Sequence, residues 1–166
     1  QDCVEDGVAL VHTEALKINL VSVKRCKGDG VDVRGAQRGL KLTDVRASGI
    51  GDKAVSIGAA ARVELRSLKV SVAAVGLSVK DGSYVLVDKV EVAQVTGAAI
   101  ATFTKNSRFG KAVCVVRSLT DGSGGSADKL RLVRYGDTIL SVNGAEVSPT
   151  PGALDQLYKL GWLGAR

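Results

Sequence analysis

AVSIGAAARVELRSLKVSVAAVGLSV, residues 54–79, returns to its own beginning: Ala54-Val55-Ser56-Ile57 comes back as Gly76-Leu77-Ser78-Val79. Working outward in both directions, the same residue types recur. Gly7, Gly30, Ala54, Gly76 and Ala99 form one row, at spacings of 23, 24, 22 and 23 residues. Val8, Val31, Val55, Leu77 and Ile100 form the next, and two residues on come Leu10, Val33, Ile57, Val79 and Thr102. Self-similarity at a fixed period marks a solenoid, whose repeats bury their apolar sides only by stacking on their neighbours.

Within each repeat the apolar positions alternate with period two, which is a strand signal. A second set reads Leu16/Leu40/Val63/Val85 and then Ile18/Leu42/Leu65/Val87. A third reads Val21/Val45/Leu68/Val90 and then Val23/Ala47/Val70/Val92. Between these two sets the step lengthens from two residues to three. The alternation changes phase there, as it must where a strand turns a corner and re-aims its side chains inward. Helical solenoids need roughly 33–47 residues per repeat, so these repeats are too short for helix pairs. The reading is an all-β, right-handed parallel β-helix of about five coils, with three strands per coil.

Composition agrees with that reading. Aromatic residues make up 4% of the chain and there are only 2 prolines. Small and β-branched side chains stack well in a narrow interior, whereas proline would delete ladder hydrogen bonds. The repeats fade after residue 103. Residues 104–111 read as a loop, 112–117 as one more strand, and 120–129 (TDGSGGSADK) as a flexible loop. Two further strand-like pieces follow, near 129–134 and 138–142, with Asn143-Gly144 as a turn pair. The end reads as a short helix, with Thr150 as N-cap, Pro151 at the first helical position and Gly161 as the stop. With Trp162 it would cap the solenoid. The domain plan is coils over 1–119, a loop over 120–129, and terminal strands and helix over 130–166, all in one structural domain.

At 166 residues the chain suits a single core. No apolar run approaches the ~18 residues of a membrane span, and no signal-peptide pattern opens the sequence. Methionine is absent, so the chain reads as a piece of something longer, with Gln1 falling partway through a coil. Cys3 and Cys26 each lie four residues before a row glycine and occupy equivalent places on successive coils. Neighbouring coils sit ~4.8 Å apart, inside the ~4.4–6.8 Å range of disulfide Cα atoms. Both a bridge and two stacked buried thiols satisfy that spacing. Cys114 reads as a core residue, and no Cys/His spacing suggests zinc.

A net charge of +6 and a pI near 9.4 suit an acidic partner such as a polysaccharide. Aromatics for base stacking are scarce, which argues against nucleic acid. The outward positions carry mixed charges: Lys17, Lys41, Glu64 and Leu86 on the second strand, Ser22, Arg46, Lys69 and Glu91 on the third. The first strand's outward row, Ala9, Asp32, Ser56, Ser78 and Ala101, is small and flat. Such a row can receive a partner, a sugar chain, a second copy, or a loop of the same chain. Binding-face candidates are therefore Asp32, Ser56, Ser78, Lys41, Arg46 and Lys69.

Parallel β-helices also carry polysaccharide lyases, hydrolases and epimerases, which need facing carboxylates or a base beside a charge-neutralising cation. The best constellation for such chemistry is Asp29, Asp32 and Arg34, with Asp6 one coil earlier and Lys53 one coil later. Asp6-Gly7 and Asp29-Gly30 are equally ordinary turn pairs. A Ser-His-Asp triad would have to use His12, the single histidine. Calcium is an option for stacked Asp6, Asp29, Asp32 and Asp52, which the sequence does not enforce; no other cofactor or metal is expected.

Three phrases occur together and in order: GDKAVSIG (51–58), GLSVKDGS (76–83) and TKNSRFGK (104–111). With YGDTILSVNGAEV and DQLYKLG at the end, they resemble the right-handed β-helix domain of bacterial cell-surface proteins that also carry spore-coat-H-like kinase and lamin-tail modules. That resemblance implies an exported module (secreted, periplasmic or at the cell surface) without catalysis of its own, binding polysaccharide or a surface protein. RYGDTILSVNGAEV (134–147) also resembles the core of a PDZ domain, which implies a peptide-binding segment over 111–166. The alternative to a binding module is an enzyme acting on an acidic glycan through Asp29, Asp32 and Arg34.

Overall fold

A computed structural model describes residues 3–165. Gln1, expected partway through a coil, lies outside the described residues. The chain folds as the expected parallel β-helix, with about six turns and a repeat near 23 residues. The first three coils contain β1 (Val8–Val11), β2 (Leu16–Cys26), β3 (Val31–Arg34), β4 (Leu40–Gly58) and β5 (Arg62–Lys80). Then come β6 (Tyr84–Val95), β7 (Ile100–Phe103), β8 (Val113–Asp121), β9 (Leu132–Arg134), β10 (Ile139–Val142) and β11 (Ala145–Glu146). One short helix, α1 (Leu154–Lys159), closes the chain.

The sequence rows are the ladder, residue for residue. Val8 pairs with Val31, Val31 with Val55, Val55 with Leu77, and Leu77 with Ile100, all in parallel. Leu16, Leu40, Val63 and Val85 form the second ladder, and Val21, Val45, Leu68 and Val90 the third. Strands β4 and β5 are long because pairing continues around the corners instead of stopping at them. The one register shift falls between Ile50 and Lys53, where β4 bends. The core is a column of Val, Leu, Ile and Ala at most 8% exposed.

The coils do not stop near residue 103. Val85 pairs with Cys114 and Cys114 with Leu140, while Ile100 pairs with Leu132. These are further rungs of the same ladders, displaced in sequence by loops at the corners. The PDZ-like run is therefore part of the coil wall: β10 lies parallel on β8 and turns through Asn143-Gly144 into the antiparallel β11. The edge of β9 is finished by Thr150, whose backbone N–H donates to Arg134 O (2.7 Å) and whose hydroxyl accepts from Arg134 N (3.1 Å).

Helix α1 seats its Leu157 in a second, smaller cluster with Val75, Ala98, Ala101, Phe103, Val133 and Leu163. Alternation makes the reason plain. Ile100 and Thr102 point into the coil, so Ala101 and Phe103 point out, and an outward Phe needs a cover. The helix and the Gly161–Ala165 segment supply it as a strap along the outer wall of the last coils. Trp162 O accepts from Ala98 N (3.2 Å), and Ala165 N donates to Asp52 Oδ1 (2.7 Å).

Candidate functional site

Asp29, Asp32, Arg34 and Lys53 do converge, at the corner and first wall of the second and third coils. Each, however, is already engaged. Asp32 pairs with Arg34 Nε at 2.6 Å, and its side chain is only 8% exposed. Asp29 Oδ1 accepts the Lys53 backbone N–H (3.1 Å), and Asp6 Oδ1 accepts the Asp29 N–H (2.8 Å). One carboxylate per coil thus caps the backbone of the next, a ladder of side-chain caps running up the corner. The Asp-Gly pairs satisfy the backbone of the neighbouring coil rather than their own turn.

Lys53 is buried beneath the strap. Its ammonium contacts Asp52 and Asp29 and donates to Ala165 O (3.3 Å). Half-buried Lys80 adds a second cation. Its methylenes lie across Gly58, 3.0–3.1 Å from where a Cβ would stand. Burial pushes the Asp29 carboxyl up, with Asp52 acting the same way and Lys53 opposing. Burial likewise pulls Lys80 down, helped by the charge of Lys53 and opposed by Asp29, Asp32 and Asp81. An acid made weaker and a base made weaker stand close together here.

The expected flat face is not a surface. Asp32 is 6% exposed, and Ser56 and Ser78 are fully buried with no hydrogen-bond partner for either Oγ. Ala101 is also fully buried; of that row only Ala9 faces solvent. The row is small because its own chain needs the room: a Cβ on Gly97 would collide with the Gly161 carbonyl, and Leu163 is buried against this wall. Asp32, Ser56 and Ser78 are thus removed as binding-face candidates. Lys41, Arg46 and Lys69 remain exposed.

Arg46 and Lys69 are successive rungs of one outward row, Ser22/Arg46/Lys69/Glu91. With Lys24, Lys89, Asp44 and Glu91 they line a hollow of about 610 Å³ that also takes in serines 22, 48, 67 and 71. Lys69 is paired with Glu91 at 2.7 Å. Lys41 is paired with Glu64 at 2.8 Å on the second wall.

Cys3 and Cys26 face each other across the first two coils with Cα atoms 4.5 Å apart and are bonded as a disulfide. Cys114 is free and buried. Among the described residues no group of three or more His, Cys, Asp or Glu is placed to hold a metal ion, because Asp6, Asp29 and Asp52 spend their oxygens on backbone N–H groups and Lys53. No helix among them is long and apolar enough to cross a membrane. Comparison with protein-family models, curated proteins and solved structures finds no match.

Proposed function

We propose that this domain is a rigid, non-catalytic structural and binding module, exported to the cell surface or periplasm or secreted, that presents a β-helix wall to an acidic polysaccharide or a surface protein. One observation carries the reading. Of the residues that could do glycan chemistry, Asp32 and Lys53 are buried and Arg34 alone is exposed, tied to Asp32, whereas the third wall offers Lys24, Arg46, Lys69 and Lys89, with Asp44, Glu91 and four serines, around an open hollow. Arg46 and Lys69, held ~4.8 Å apart as successive rungs of a stiff ladder, meet a polyanion without the cost of ordering a loop. The Cys3–Cys26 bond supports an oxidising compartment. The three coil phrases that resemble bacterial surface-protein β-helices support the same setting.

The enzyme alternative rests on the opposed shifts of Asp29 and Lys80. Polygalacturonate and a neutral galactan, each incubated with the full chain, distinguish the two readings. A binding module retains the acidic polymer, releases neither unsaturated products nor reducing ends, and holds the long polymer less tightly on joint Arg46→Ala and Lys69→Ala substitution. Turnover abolished by Asp29→Asn would overturn it.

A further inference from the structure

The second wall holds a hollow of about 450 Å³, within the ~300–1,000 Å³ range of ordinary ligand sites. A second hollow of about 310 Å³ adjoins it and shares Lys17, Lys41, Glu64 and Leu86. Together they make an elongated groove that follows the coil from one corner to the next. Gly39 helps leave the first hollow open. Gly39 sits at a corner with φ +94, and nothing lies within 4 Å of where its Cβ would be. Its neighbours on the adjacent coils are Ala15, also small, and Arg62, which is paired in register with Tyr84. The open space at Gly39 is thus followed, one coil on, by Arg62 and then by the Tyr84 ring.

Tyr84 is 42% exposed, one of few large apolar side chains on the surface. Its backbone is fixed, with its N–H donating to Ala61 O at 2.8 Å, so the ring is presented from a rigid strand start. Arg62 stands beside it, one coil away at ~4.8 Å, and makes no ion pair among the described residues. Lys17 is likewise without an ion-pair partner, while Lys41 is paired with Glu64 and Arg38 with Glu14. The groove thus combines a ring face, apolar Leu16 and Leu86, and two cations without an ion-pair partner among the described residues, Arg62 beside Tyr84 and Lys17 two coils from Arg62.

We propose that this groove is a sugar-binding subsite selective for a carboxylated pyranose, a uronate residue of an acidic glycan; this rests on the binding-module reading above. The ring of Tyr84 has an electron-rich face that attracts the C–H face of a pyranose. The planar fork of Arg62 matches a carboxylate in two parallel N–H···O bonds, and Lys17, two coils further along the groove, adds longer-range positive potential. Glu64 and Gln37 supply an acceptor and an amide for hydroxyls along the same wall. A neutral sugar would leave Arg62 without the partner the site is built for, and a simple anion would leave Tyr84 unused. The two requirements together define the ligand class.

The test uses the intact chain and calorimetric titration with tetragalacturonate, its methyl ester, and a neutral galactan tetrasaccharide. The expected result is binding of the uronate alone, weakened about tenfold by Tyr84→Ala and separately by Arg62→Gln, and unchanged by Arg46→Ala with Lys69→Ala. Both target side chains are exposed, and unchanged thermal midpoints show that each variant is folded. Equal binding of the methyl ester overturns the proposal. So does uronate binding that ignores Tyr84 and Arg62 but falls with Arg46 and Lys69, which leaves the binding-module reading standing. No retention of any acidic polymer, long or short, overturns both.

Discussion

Cys114 lies midway in a ladder, with Val85 on the coil before and Leu140 on the coil after. Full burial among such neighbours pushes its thiol up to about 12, because the thiolate would have no solvation. Native protein should therefore resist iodoacetamide at neutral and mildly alkaline pH, while denaturant without reductant should release one reactive thiol. A thiol that labels rapidly in the native state would contradict this burial. Lys80 gives a second test at the same scale. The unfolded chain holds a proton there up to the ordinary 10.5, and the folded chain lets it go at lower pH. Between those limits the unfolded state binds more protons, so stability rises with pH across the window and carries a penalty below it. Lys80→Met keeps most of the arm over Gly58 and removes the titration. Urea melts from neutral pH to 10.5 should show wild type gaining on this variant as pH climbs; a flat or falling difference would refute the buried-ammonium account.

At the scale of single elements, turns decide where the coil continues. Asn143 holds φ 53 between β10 and β11, and its side-chain Oδ1 accepts the Leu119 N–H at 2.8 Å from the coil before. Asn143→Gly keeps the backbone conformation and loses the bond; Asn143→Ala loses both. The alanine variant should cost about 1–2 kcal/mol in thermal or urea unfolding, with the glycine variant costing less. Equal losses would mean that the turn conformation contributes nothing. The sequence shows these elements unevenly, for a physical reason. Leu16, Leu40, Val63 and Val85 are read directly because their corners are of nearly constant length, so the ladder and the period coincide. Cys114 and Leu140 belong to the same ladder but follow longer corner segments at 104–111 and 120–129, and the period dissolves although the pairing does not. The burial of Ser56 and Ser78 is illegible for another reason: the strap that covers their wall comes from the far end of the chain, through Leu163 and Ala165. Tyr84 is silent in the sequence because one aromatic has no spacing to read; its meaning depends on the open space at Gly39 and on Arg62 beside it, which has no ion pair among the described residues.

For the whole molecule, rigidity and accessibility are divided between walls. The first wall is spent on internal cohesion, with capping aspartates along its corner and the strap across its outer side. The second and third walls face solvent, and their side-chain rows keep the spacing that hydrogen bonding between coils imposes. Replacing Val55, a fully buried rung of the central ladder, by Asp should abolish folding of the chain as a unit, since each coil is the template for the next and an unpaired buried carboxylate costs several kcal/mol. Cooperative melting of that variant near the wild-type midpoint would show that the coils are independent.

The bond between Cys3 and Cys26 also bears on what happens when the chain is pulled. Tension entering at the N-terminus passes straight to Cys26, and the chain between the two sulfurs, a sequence separation of 23, carries no load. Unzipping must then begin one coil in, and the first coil remains as slack that the force cannot take up. Chemical reduction makes that slack available, adding about 80 Å of extended chain at ~3.3–3.6 Å per residue. In an optical trap the same molecule should lengthen by that increment on addition of a thiol. For a protein tethered in a flowing or mechanically stressed setting, the redox state would then act as a length adjustment at its anchored end.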